Sequence, residues 1–162
     1  MKTKILLLFT LVSFISYGQK SPAEKAQGTI NGTEITVEYS SPRVNGRVIF
    51  GDLVPYGKVW RAGANKNTTI KFSKDVKING KELKAGTYGF FIIPNTGKGW
   101  ELIFNKKTDG WGSYSYKESD DALRIPSKVQ SNENSQEEML FKVTKKEILF
   151  SWSDTTFTMR VQ

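Results

Sequence analysis

The chain has 162 residues, 24 basic and 16 acidic, for a net charge of +8, and it contains neither cysteine nor histidine. Without those two residue types there is no disulfide framework, no Ser-His or Cys-His nucleophile, no histidine general acid or base, and no His- or Cys-ligated metal site. The length suits one domain, large enough to bury a core without metals or cross-links.

In chain order the first element is an export leader. Met1-Lys2-Thr3-Lys4 gives a positive start, Ile5 to Val12 an apolar run, and Ser16 and Gly18 are the small residues flanking a cut before Gln19. Even stretched to Ile15, the run is too short to cross a bilayer core of about 30 Å. The sequence therefore predicts a signal peptide over residues 1–18 and a single domain over 19–162, periplasmic or extracellular, with no membrane span in the mature chain. Loss of Lys2 and Lys4 lowers the net charge to +6. An exported chain without cysteine must be stable through packing alone, which suits a bacterial envelope.

Period-two alternation dominates the mature chain. Asn31-Gly32 is a two-residue hairpin signal, and Glu34 to Tyr39 alternates cleanly after it. Thr68 to Phe72 and Val76 to Ile78 read as strands, with a turn at Asn79-Gly80. Thr87 to Ile93 is nearly continuously apolar and ends at Pro94, which predicts burial on both faces. Trp100 to Phe104 comes next, and Met139 to Val143, Ile148 to Trp152 and Phe157 to Val161 form a C-terminal meander. Ser119 to Leu123 reads as a short helix, and the polar stretch Ser127 to Gln136 as an exposed loop. The pattern predicts an all-β fold with little helix, an antiparallel β-sandwich or a closed barrel.

Gly97-Lys98-Gly99 and Gly110-Trp111-Gly112 lack the third glycine and the following helix of a dinucleotide site. No Ser-x-x-Lys occurs. Glu38, Glu101, Asp109, Asp120 and Asp121 leave a carboxylate pair open as an enzymatic option, although no spacing selects one. Ten basic residues between Arg43 and Lys84 face only Asp52, Asp75 and Glu82. They suit either an anionic partner or lysine-covered strand faces that resist edge pairing.

Two segments carry more than scaffolding requires. In the first, Ser41 to Asn65, Arg47 and Arg61 can clamp a carboxylate or phosphate, Asn65 can add an amide, and Tyr56 and Trp60 stand beside them. In the second, Asn105 to Tyr116, Trp111 and Tyr114 sit among glycines and can stack on sugar rings. The competing reading makes the first an irregular connection and the second a lid on the core.

These residues resemble the domain-of-unknown-function family 2911. The resemblance rests on Leu53-Val54-Pro55-Tyr56-Gly57, Val59-Trp60-Arg61-Ala62-Gly63-Ala64-Asn65, Ala85-Gly86-Thr87-Tyr88, Ile103-Phe104-Asn105 and Gly112-Ser113-Tyr114. It implies an exported bacterial β protein and supplies no mechanism. The chain departs from the family pattern at Ser41, Ala62 and Lys66, the last a position that is commonly acidic. The expectation is an exported, non-catalytic binding or structural module. Its ligand is a small anionic or glycan-like molecule, or an envelope protein, held by Arg47, Tyr56, Trp60, Arg61, Asn65, Asn105, Trp111 and Tyr114. No catalytic residue, metal, cofactor or nucleic acid is expected. The alternative is a carboxylate-dependent glycan hydrolase.

Overall fold

The computed structural model describes residues 21–97 and 99–162, so the expected leader lies outside the described residues. The strands are β1 (Ala23–Ile30), β2 (Thr33–Ser40), β3 (Thr68–Phe72), β4 (Val76–Ile78), β5 (Lys81–Leu83), β6 (Gly86–Ile93), β7 (Trp100–Asn105), β8 (Asp121–Ser127), β9 (Gln130–Val143) and β10 (Glu147–Arg160). A 3-10 turn, Glu118–Asp120, precedes β8. Six strands form an antiparallel sheet in the order β1-β2-β3-β6-β7-β8, and β9–β10 and β4–β5 are separate hairpins. β1 and β8 are the sheet's two ends and do not pair with each other, so the fold is a sandwich and not a closed barrel.

Local chemistry sets the register. Asn31 and Gly32 both take positive φ, 50° and 75°, and Ile30 pairs directly with Thr33 across them. Asn79 and Gly80 repeat the device at 48° and 83°, between Ile78 and Lys81. Two left-handed residues in succession match the twist of antiparallel strands, and asparagine and glycine adopt that conformation most readily. With the register fixed, Ile35 and Val37 of β2, Ile70 and Phe72 of β3, and Tyr88, Phe90 and Ile92 of β6 all bury toward one face. The β9–β10 hairpin covers that face, as the contacts of Phe90 with Phe141 and of Trp100 with Phe157 show. Each fully buried Phe or Ile contributes about 1.5–3 kcal/mol, so packing of this kind replaces disulfides.

Two sequence expectations are corrected. Residues 130–136 are strand, not loop, because their backbone pairs with β10 through Gln130–Thr156, Ser131–Thr155 and Gln136–Ser153. The side chains there are largely exposed, so no apolar alternation marks the strand. Ser119 to Leu123 is not a helix. Beyond the 3-10 turn, Leu123 and Ile125 turn inward while Ala122, Arg124 and Pro126 stay exposed, a period of two. Pro126 is tolerated because β8 is an edge strand.

The expected two-sided burial of β6 holds, with a specific cause. Phe91 and Ile103 are fully buried on the outer face of the six-stranded sheet. The loop from Lys106 to Lys117 covers them, and Tyr116 packs on Phe91 with ring centroids 5.2 Å apart. This lid lies so close that a Cβ on Gly89 would sit 2.1 Å from the Lys107 carbonyl oxygen.

Candidate functional site

After β2 the chain leaves the six-stranded sheet and crosses to β9. The Met139 N–H donates to the Pro42 carbonyl (2.9 Å) and the Val44 N–H to that of Glu137 (2.9 Å). Asn45 and Gly46, at φ 48° and 67°, then reverse the chain, closed by the Arg47 N–H on the Val44 carbonyl at 3.0 Å. The crossing and reversal bring Arg43 and Arg47 to one end of the sandwich. Trp60 enters beside β6, exchanging both backbone hydrogen bonds with Ile92 at 2.8 Å. The following turn holds Ala62 at φ 53° and Asn65 at φ 59°. A left-handed alanine costs about 1–2 kcal/mol. It is held by Thr68 Oγ1 donating to the Ala62 carbonyl (2.8 Å) and Trp60 Nε1 to that of Gly63 (3.1 Å).

These turns enclose a cavity of about 550 Å³ whose walls include Arg43, Arg47, Arg61, Ser41, Trp60 and Trp152. Its electrostatics are unbalanced. Arg43 is paired with Glu138. Arg47 spends Nε on the Val44 carbonyl (3.0 Å) and Nη2 on the Arg43 carbonyl (2.5 Å), and has no carboxylate partner among the described residues. Arg61 is half-buried, its Nε has no hydrogen-bond partner, and no described carboxylate pairs with it. Burial lowers the Arg61 pKa, with Tyr114 acting weakly in the opposite direction. Arginine remains charged at any physiological pH regardless. Trp152, 1% exposed, adds a second orphaned donor, its Nε1. Such a cavity can accept an anion on forked donors over an aromatic base.

Of the residues singled out in the sequence, Arg47, Trp60 and Arg61 line this cavity. Asn65 borders it, donating from Nδ2 to the Ser21 carbonyl at 3.3 Å. Tyr114, 93% exposed, lies near the Arg61 guanidinium, across the space that Gly112 leaves open. Tyr56 stands outside the cavity, its ring against Gly51. Trp111 faces a different cavity, on the outer face of the sheet. The two segments do meet, through the Asn67 N–H on the Gly110 carbonyl and the Gly112 N–H on the Asn65 carbonyl, both 3.0 Å.

Asn105 is fully buried and its carboxamide is consumed within the protein. Nδ2 donates to the Lys117 carbonyl (3.0 Å) and Asp121 Oδ1 (2.8 Å), while Oδ1 accepts from the Lys107 N–H (2.8 Å). It thereby pins both ends of the lid. Asp121 belongs to a cluster centred on Arg124, which also binds Glu101 (2.9 Å) and the Tyr116 hydroxyl (2.8 Å). Burial acts to lower the Arg124 pKa, and its bonds to Asp121 and Tyr116 overcome this and raise it. Burial and the Asp121 bond push the Tyr116 phenol up to about 12. Glu38 pairs with Lys25 and Asp109 with Lys107, each at 2.9 Å.

Sequence reasoning missed Arg43 and Trp152 as cavity residues. Arg43 lay in the segment that was singled out, but only the crossing to β9 turns it toward Arg47. Trp152 sits in an ordinary alternating strand, and no local signal marks its place behind the cavity wall.

Fold and site together define an all-β sandwich protein with an arginine-walled cavity at one end. The chain belongs to the family described as protein of unknown function DUF2911, which it matches over residues 21–161. No curated protein and no solved structure matches it.

Proposed function

We propose that this protein is an exported, non-catalytic binding module whose Arg47–Arg61 cavity takes a small anionic ligand, a carboxylate or a phosphate. One observation carries the reading. Arg61 is a half-buried cation with an orphaned Nε and no described carboxylate partner. Leaving a cation without a counter-charge is costly, and an anion that meets the guanidinium from the cavity offsets that cost. Arg47 adds a second unneutralised charge, and Leu53, 44% exposed, gives the cavity an apolar wall for the body of the ligand. Export rests on the leader read in residues 1–18.

The test is thermal unfolding of the mature protein with inorganic phosphate, citrate and glucuronate. A ligand that binds only the folded state raises the midpoint in proportion to its saturation. At least one of these anions should raise it in the wild type and in Tyr56→Ala, but not in Arg61→Ala. Equal stabilisation of wild type and Arg61→Ala, or none in the wild type, contradicts the reading.

A further inference from the structure

We infer that the outer-face cavity beside Trp111 is a second binding site, for a neutral sugar ring, and is chemically distinct from the arginine cavity. It encloses about 700 Å³ between the outer face of β1 and β2, the approach to β3, and the lid. The inference stands on this cavity alone and does not depend on the anion reading.

Trp111 is 62% exposed, yet its backbone is fixed. It lies between two ladder hydrogen bonds, Asn67 N–H to Gly110 carbonyl and Gly112 N–H to Asn65 carbonyl, and forms a bridge with Lys66. A large aromatic side chain on a fixed backbone, with only two side-chain torsions to order, loses little freedom when a ring stacks on it, which makes it an efficient contact surface. Its apolar face suits the C–H face of a pyranose, and the polar groups around it suit the hydroxyl edge.

The charges decide against an anion here. Glu38 is paired with Lys25 and Asp109 with Lys107, each at 2.9 Å. Each pair sets a strong acceptor beside a strong donor, and the two charges cancel, while Glu24 and Lys66 add one charge of each sign to the lining. An ion gains little from such an array. A hydroxyl, which donates and accepts at once, can use both halves. Asn67 also lines the cavity, but its carboxamide lies beneath Gly110, closed off from solvent, so the hydroxyl contacts fall to the charged pairs.

The experiment titrates the full mature protein with cellohexaose, xylohexaose, maltohexaose and chitohexaose, following tryptophan fluorescence. At least one should give a saturable change whose midpoint is insensitive to salt, because the recognition is uncharged. Trp111→Ala should weaken that binding about tenfold, in line with an aromatic contact of this class, and an unchanged far-UV circular dichroism spectrum would show that the fold is intact. No saturable binding by any of the four up to millimolar concentration overturns the inference. So does an affinity that Trp111→Ala leaves unchanged, or binding that collapses with added salt.

Discussion

The indole rings of Trp60 and Trp152 stack with centroids 5.6 Å apart and 21° between their planes, and both line the arginine cavity. They differ in one respect. Trp60 Nε1 donates to the Gly63 carbonyl at 3.1 Å, whereas Trp152 Nε1 has no partner among the described residues. Replacement by phenylalanine costs packing at both positions, but only Trp60→Phe also breaks a buried bond and frees the carbonyl that holds the 61–65 turn. Trp60→Phe should be the more destabilising by about 1 kcal/mol, read as the difference in urea midpoints at equal m-value. Equal losses would mean that the Gly63 bond does not hold the turn.

The lid rests on the missing side chain of Gly89. Gly89→Ala places a methyl group 2.1 Å from the Lys107 carbonyl oxygen, a backbone atom that cannot rotate aside. Overpacking of this kind typically costs about 1–3 kcal/mol. The loss should come with faster amide exchange in Lys106 to Tyr116 than in β2 and β3. Uniform destabilisation with an undisturbed lid would contradict this close approach of lid and sheet.

Alkaline pH should unfold the protein from the same region. Tyr116 is pushed up to about 12, first by burial and then by Asp121, and burial raises Tyr39 and Tyr88 as well. A phenol whose folded pKa lies above its unfolded value contributes stability that is complete below about 10. That contribution is lost as the pH rises toward the folded value, because the unfolded chain ionises first. Urea midpoints should therefore fall between about pH 10 and 12. The fall should be shallower in Tyr116→Phe, where one of the three linked phenols is gone. A slope identical to wild type would contradict the Tyr116 assignment. With no histidine in the chain, no imidazole contributes a slope near neutrality.

Much of the fold was legible because alternation and Asn-Gly turns are local signals. Ile35, Val37, Ile70 and Phe72 announced their strands and their inward faces. The strand over residues 130–136 was hidden because its pairing is a backbone matter and its side chains are mostly polar and exposed. Ser119 to Leu123 misled because acids after a serine mimic a helix start, while the period-two burial of Leu123 and Ile125 depends on a distant sheet. The candidate site was half legible. Arginines beside tryptophan in irregular backbone drew attention to Arg47, Trp60 and Arg61, but the crossing of Pro42 to β9, which sets the cavity's geometry, is a long-range contact. Asn105 stood out as a possible ligand contact, and only the coordinates show its carboxamide occupied at both ends of the lid.

The central claim is that Arg61 is a cation awaiting an anion, and the Arg61 Nε–H reports on it directly. Its resonance can be followed by nitrogen-15 NMR, assigned through its loss in Arg61→Lys, while the anion that stabilises the protein most is added. The account predicts a saturable shift and slowed solvent exchange at that one Nε–H, with the same midpoint as the thermal stabilisation. An anion that stabilises the protein while leaving the Arg61 Nε–H unmoved would contradict it.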